Sequence, residues 1–180
     1  AFFLGVSTGH GGLTTIHAES IEALVRRLTS PPMNVPKSNI AAAKLYVNIV
    51  RIPIPGNVVR KVIYVYEVRE YDTLRNLVNF KLISKWVKDE DVWLVDLRES
   101  STLKTISELT LVEYDDLITD LVRRATVLSY AVLKNLDIFE FNALLRRYRA
   151  NPIKTFNEAR EFLGDSYKLV IQELEEEKSL

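Results

Sequence analysis

The chain has 180 residues, of which 47% are hydrophobic, 27% charged and 9% aromatic, with only 6 Gly and 6 Pro. That composition lies in the middle of the globular range and excludes disordered, collagen-like and mucin-like classes. The 24 basic and 24 acidic residues cancel, so no global field marks a nucleic-acid or membrane-surface protein. The absence of Cys, with only 2 His, removes disulfides, thiolate zinc sites and cysteine nucleophiles, fits a reducing cytoplasm, and leaves little for a metal centre. The balance hides an asymmetry. Residues 1–66 hold seven Lys or Arg against Glu19 and Glu22, while residues 67–180 hold seventeen against twenty-two acids. No apolar run approaches the roughly 20 residues that span a bilayer, and AFFLGVSTG is too short and too uncharged for a signal peptide. The chain opens with Ala1 inside what reads as the end of an apolar helix, which suggests part of something longer.

In chain order, Ala1 to Thr8 reads as a helix stopped by Gly9, and Leu13 to His17 as a short strand. A helix-to-strand switch over so few residues points to an α/β fold. From Ala18 to Thr29, Ile21, Leu24, Val25 and Leu28 recur at helical spacing, and Pro31 and Pro32 end the pattern. Ser38 caps a short turn through Ala43. Leu45 to Ile52 reads as a buried strand, and Pro53, Pro55 and Gly56 turn it into a strand from Val58 to Glu67, giving a hairpin. Phe80 to Val87 and Val92 to Leu97 are further strands joined by the charged turn Lys88 to Asp91. Around Ser100 the period changes from 2 to 3.6, which places a boundary between residues 1–99 and an all-helical part, 100–180. There Ser101 or Thr102 caps a helix to Leu109, followed by helices Tyr114 to Asn135, Ile138 to Arg149, Phe156 to Leu163 and Tyr167 to Glu177. Leu117, Leu121, Val132, Leu133, Phe139 and Leu144 form the apolar stripes expected to pack on one another.

The densest chemistry lies in TGHGGLTTIHAES, Thr8 to Ser20, where three Gly and two His share thirteen residues. Glycines let a backbone approach a ligand closely, and His at strand ends can donate to a phosphate or take up a proton. No Lys follows as a phosphate-binding loop requires. From the residues alone the segment reads first as a glycine turn beside a hydrogen-bonded His17 at a strand end, and Arg26 with Arg27 as an ordinary solvated helix face. Two His and Glu19 make no convincing metal set. The basic run Arg146, Arg147 and Arg149 invites a helix-turn-helix reading, yet Asp115, Asp116 and Asp120 on the supposed recognition helix would repel phosphates, so no nucleic-acid partner is expected.

The stretch TGHGGLTTIHAESIEALVRRLTSPPMNVP resembles the histidine-box region of the type II/type IV secretion ATPases, the ring-forming motors of secretion, pilus and archaellum assembly. The order of GH, TIH, AES, a helix ending RL and the PPMNVP loop carries the likeness to the archaeal branch. VRKVIYVYEV (59–68) and LVRRATVLSYAVLKNLDIFEFNALLRRY (121–148) extend it more loosely. The resemblance implies the C-terminal part of a RecA-like P-loop ATPase core followed by a helical subdomain, starting after the Walker B segment. It implies that His10 and His17 reach toward the γ-phosphate, that Gly9 keeps the approach tight, and that Arg60 and Lys61 face nucleotide or a neighbouring subunit. It further implies a hexameric parent that uses ATP and Mg²⁺ at the cytoplasmic face of the membrane and acts on a membrane platform protein.

The Walker A loop, the Asp box and Walker B are not in this chain, so no ATP hydrolysis and no bound cofactor are expected of it alone. Non-native self-association is expected through the unpaired strand Leu13 to His17 and an exposed Phe2, Phe3 and Leu4. The competing expectation is a non-catalytic module that docks on a secretion complex.

Overall fold

The structure, a computed structural model, describes residues 1–98, 100–165 and 167. It is mixed α/β, with helices α1 (Phe2–Ser7), α2 (Ile21–Thr29) and α3 (Lys37–Ala42), strands β1 (Leu45–Ile54), β2 (Asn57–Asp72), β3 (Leu77–Val87) and β4 (Val92–Val95), then helices α4 (Ser101–Thr110), α5 (Tyr114–Leu133), α6 (Ile138–Ala150) and α7 (Pro152–Leu163). Two compact units result, Ala1–Thr102 and a second beginning at Leu103. The expected helix from Tyr167 falls outside the described residues, apart from Tyr167 itself.

In the first unit the four strands form an antiparallel sheet in the order β1-β2-β3-β4. Each connection is tight. Pro55 and Gly56 join β1 to β2, with Gly56 at φ +74°, the left-handed position that a Pro-Gly turn requires. Asp91, at φ +53°, closes the turn from β3 to β4, where a short acidic side chain tolerates that backbone. The β1–β2 ladder runs from Leu45↔Glu67 to Ile54↔Asn57 with an irregularity after Asn48, and β2–β3 runs from Tyr64↔Lys85 to Asp72↔Leu77 with two more. Helix α3 packs on β2 and β3, and α1 and α2 pack on α3. Leu28 and Ile40 are fully buried, and Val68 and Ile83 nearly so. The Tyr46 hydroxyl donates to the Ile40 carbonyl at 2.6 Å, and burial pushes that phenol well above its ordinary pKa.

Three expectations change. Leu13 to His17 is not a strand but part of an irregular segment, residues 10–18, outside any sheet, because no strand in the described residues lies beside it. The helix-to-strand switch read there is therefore absent, and the mixed α/β class rests on an antiparallel meander instead. Second, β1 is not buried: it is an edge strand whose Leu45, Val47 and Ile49 are each at least half exposed, since antiparallel sheets can leave one face in water. Third, Phe2 and Phe3 are only partly exposed and stack edge to face at 5.1 Å, with Phe2 covering the position where Gly12 lacks a Cβ. Leu4 is exposed.

In the second unit the core is Val127, Ala131, Leu144 and Ala159, with Tyr130, Leu136, Phe141 and Tyr148 packed around it. Small side chains let α5 and α7 approach closely. Thr126 and Thr155 are buried, and their hydroxyls bond back to the Val122 and Asn151 carbonyls at 2.8 and 3.0 Å. Of the expected stripe, Leu144 is buried, whereas Val132, Leu133 and Phe139 are exposed. Periodicity marked the correct helices, but α5 turns a face with Ala131 inward rather than the bulkier residues beside it. Asp137 and Glu140 form a capping box that starts α6.

The strongest single constraint in the first unit is Glu67 on β2, with no exposed surface. Its carboxylate accepts from Ser100 Oγ at 2.8 Å, Ser101 N at 3.1 Å and Thr102 N at 2.6 Å, so it caps α4 from a distant strand. Burial pushes this carboxyl up, but the hydrogen bonds from Thr102, Ser100 and Ser101 outweigh it and hold the group below its ordinary pKa. A depressed carboxyl pKa contributes stability that is present above the unfolded value of about 4.3 and is lost as pH falls through the lower folded value. Glu67→Gln is therefore expected to lower unfolding stability by about 1–3 kcal/mol near neutrality and to flatten the acid limb of a stability–pH curve measured by urea denaturation.

Candidate functional site

The segment between α1 and α2 is assembled by local constraints at its two ends. Ser7 and Thr8 hydroxyls bond back to the Leu4 and Gly5 carbonyls at 2.8 and 2.9 Å, ending α1. Gly9 then takes φ +91°, a conformation that any side chain would strain. The turn sets His10 on the surface, its backbone N–H donating to the Gly5 carbonyl at 3.1 Å. Thr8 Oγ1 lies 3.2 Å from His10 Nδ1. Which of the two donates in this pair depends on the imidazole tautomer, while the hydroxyl's shortest contact is the Gly5 carbonyl.

At the far end, Ser20 caps α2 by accepting from Ala23 N at 3.1 Å. The hydrogen bond with Ser20, followed by one to its own backbone N–H, holds the exposed Glu22 carboxyl below its ordinary pKa. Arg27, one turn from the end of α2, donates from a guanidinium nitrogen to the His17 carbonyl at 3.1 Å. His17, Ala18, Glu19, Ala23 and Arg27 line an open depression of about 460 Å³. Between the two anchors the backbone of residues 11–16 makes no hydrogen bond to any described residue, and Leu13 is wholly exposed.

The expected site residues thus fall into three places. His17 sits at the depression beside Arg27; Gly9 and His10 form the turn after α1, outside its lining; Arg60 and Lys61 lie on β2. Arg60 is exposed, directly opposite Arg51 on β1. Lys61 is already engaged. Its ammonium lies 2.5 Å from Asp91 Oδ1 and 5.1 and 5.6 Å from the Trp93 and Trp86 ring centres. Trp86 Nε1 donates to the same Asp91 oxygen at 2.8 Å, and Trp93 Nε1 to the Val62 carbonyl at 2.7 Å. The hydrogen bonds from Lys61 and Trp86 hold the Asp91 carboxyl below its ordinary pKa. Arg27 reads from the sequence as solvated surface, and nothing in the spacing of ten residues between His17 and Arg27 signals their contact. The Lys61 cluster carried a signal, the near-symmetrical WVKDEDVW around the β3–β4 turn.

Among the described residues no group of three or more His, Asp or Glu is placed to hold a metal ion, and no helix is long and apolar enough to cross a membrane. Chemically, the segment offers an imidazole, a guanidinium with N–H groups to spare and a run of unpaired backbone donors, which together suit an anionic ligand.

No protein-family model matches the chain. It is similar to three uncharacterized proteins of Methanocaldococcus jannaschii. It is 32% identical to protein MJ1287 over 147 residues, 82% of this chain and 54% of that one. It is 26% identical to MJ0781 over 162 residues, 81% of this chain and 20% of that one, and 24% identical to MJ0900 over 142 residues, 77% and 25%. The chain therefore spans about half the length of the first relative and a quarter or less of the other two.

The Arg27 contact carries a test. Arg27→Ala removes the side-chain tie from α2 to the His17 carbonyl, a surface hydrogen bond worth roughly 0.5–1.5 kcal/mol. Chymotryptic cleavage after Leu13 is expected to quicken several-fold while the melting temperature of the chain stays within about 2 °C.

Proposed function

We propose that this chain is the part of a RecA-like ATPase of the type II/type IV secretion class that follows the phosphate-binding segments, with residues 8–20 as its γ-phosphate-sensing edge. One observation carries the reading: the stretch Leu13 to Ile16, flanked by His10 and His17 and preceded by the Gly9 turn, makes no backbone hydrogen bond to any described residue. Backbone N–H and C=O groups of such a stretch are satisfied best by neighbouring strands, and relatives from about one and a half times the length of this chain upward have room for them. The order of short motifs from GH to PPMNVP supports the same class.

The residues present do not make a nucleotide and Mg²⁺ site alone. There is no lysine-bearing glycine loop and, among the described residues, no carboxylate set for the cation, so both would be held by residues outside this chain. What the chain contributes is a donor edge. His17 and Arg27 can meet charge that develops on a terminal phosphate, where positioned donors act mostly in the transition state. In this reading the assembly is a hexameric ring at the cytoplasmic face of the membrane, bound to a platform protein, and export or filament assembly is its output. A non-catalytic docking module is the second reading, favoured by the commitment of Lys61 to Asp91 and the two tryptophans.

The test is hydrolysis by a longer polypeptide in which GxxxxGK followed by Ser or Thr precedes Ala1, against this chain alone. No turnover is expected from the chain alone and clear turnover from the longer form, in which His17→Ala lowers kcat by on the order of 10² with little change in KM. A longer form that binds a secretion-complex partner with no turnover would decide for the docking module.

A further inference from the structure

The β1–β2 hairpin reaches past the rest of its sheet. Pairing of β2 with β3 stops at Tyr64↔Lys85, whereas pairing with β1 continues from Ile49↔Val62 to Ile54↔Asn57. The β3–β4 hairpin still flanks the first two of these six pairs, through Trp93 on the Val62 carbonyl and Asp91 on Lys61, so the free two-stranded arm is the four pairs from Arg51↔Arg60 to Ile54↔Asn57, roughly 14 Å at about 3.4 Å per residue. Its base is fixed by Lys61, held in the Asp91, Trp86 and Trp93 cluster.

The arm's chemistry is segregated along its length. Beyond Arg51 and Arg60 there is no charged side chain: the tip is Ile52, Pro53, Ile54, Pro55, Gly56, Asn57, Val58 and Val59, with Ile54 42% and Val58 43% exposed. Arg51 and Arg60 sit directly opposite each other, both exposed, an arrangement that is unfavourable for like charges. Nothing in the first unit offsets it nearby in sequence, since no acid occurs between Glu22 and Glu67. Pro53 and Pro55 withhold backbone donors at the outer end of β1, which disfavours extension of the sheet by a partner strand.

We propose that this arm docks on an anionic lipid bilayer, with its apolar tip in the headgroup and acyl boundary and Arg51 and Arg60 at the level of the lipid phosphates. The dimensions agree. Ile54 lies three residues beyond Arg51, about 10 Å, and interfacial segments bury to about 5–10 Å. Unpaired backbone groups along a two-stranded arm oppose entry into the hydrocarbon interior, so insertion is shallow and the arginine stems extend up to the phosphates. Vesicle binding needs no hydrolysis, so the arm's role stands apart from the nucleotide reading and can fail or hold without it.

The probe is a vesicle of equal parts phosphatidylglycerol and phosphatidylcholine, compared with pure phosphatidylcholine, in a sedimentation assay on the whole chain. Binding is expected on the anionic vesicles, weakened by salt. Each basic group near an anionic surface is worth roughly a fivefold gain in partitioning, so Arg51→Gln with Arg60→Gln is expected to weaken it by about 25-fold, while Arg75→Gln at the β2–β3 turn leaves it unchanged. Because the chain has no Cys, an environment-sensitive dye on Ile54→Cys reads insertion directly. Its emission should shift to the blue on anionic vesicles, and that of the same dye on Leu74→Cys, at the opposite hairpin end, should not. Absence of wild-type binding, equal loss with Arg75→Gln, a blue shift at both labels, or full displacement by millimolar inorganic phosphate would each overturn the proposal, the last by making the arginine pair a free-phosphate site.

Discussion

A carboxylate without exposed surface is tolerated only where donors replace its lost water, and in this chain that exchange fixes where the polypeptide leaves the sheet. Glu67 is the residue in question, and its donors are the first-turn N–H groups of α4 and the Ser100 hydroxyl. Those N–H groups are among the four that any helix leaves unsatisfied, and they lie at the positive end of the helix dipole. One side chain on β2 therefore satisfies two sets of groups that would otherwise each carry a desolvation cost. Neighbouring contacts reinforce the same exit: Lys81 Nζ reaches the Arg98 carbonyl at 2.5 Å and Asp96 at 3.5 Å, and Asp96 in turn accepts from the Arg98 backbone at 3.0 Å. Burial lifts the Asp96 carboxyl, and the hydrogen bond from Arg98 together with the charge of Lys81 overrides it, leaving the group below its ordinary pKa.

This exit was hidden in the sequence. Glu67 stands in VIYVYEV, where an isolated acid reads as the solvent-facing member of a strand, because burial of a charge depends on partners more than thirty positions away. What local chemistry determines was readable. Pro55 and Gly56 marked the first turn, Lys88 to Asp91 the last, and the apolar spacing of residues 21–28 the second helix, whose boundaries differ from expectation only by the capping segment before Ser20. The helices of the second unit were legible as elements, yet their inward faces were not. Ala131, Thr126, Ala159 and Thr155 lie inside because close approach of α5 and α7 favours small side chains, and a search for large apolar stripes passes over them.

The candidate site shows the same division. Gly9 and the two histidines are visible as a cluster, and the positive-φ turn at Gly9 is what a glycine there suggests. Leu13 to His17 has the composition of a strand, but strand formation needs a neighbour, which composition does not supply. Its irregular backbone, unbonded from Leu13 to Ile16, is the physical counterpart of that missing term. The surroundings of Lys61 were hidden for a related reason: two indole rings and a carboxylate contributed by the β3–β4 hairpin lie about it, and they stand twenty-five or more positions away in the chain.

The meander order of the sheet has a kinetic consequence. Each strand pairs with the strand next to it in the chain, so every ladder closes through a short turn, and no β-pairing waits for a distant segment to arrive. Loop-closure entropy is small at each step, and topologies dominated by such near-neighbour pairings fold quickly for their size. Hairpins form in microseconds, whereas synthesis adds only about 5–20 residues per second. Each hairpin can therefore close as it emerges, and the sheet can be in place before Ser100 to Thr102 arrive to cover the Glu67 carboxylate. Sheet formation then comes early and locally, while neutralising its one buried charge is the late, long-range step.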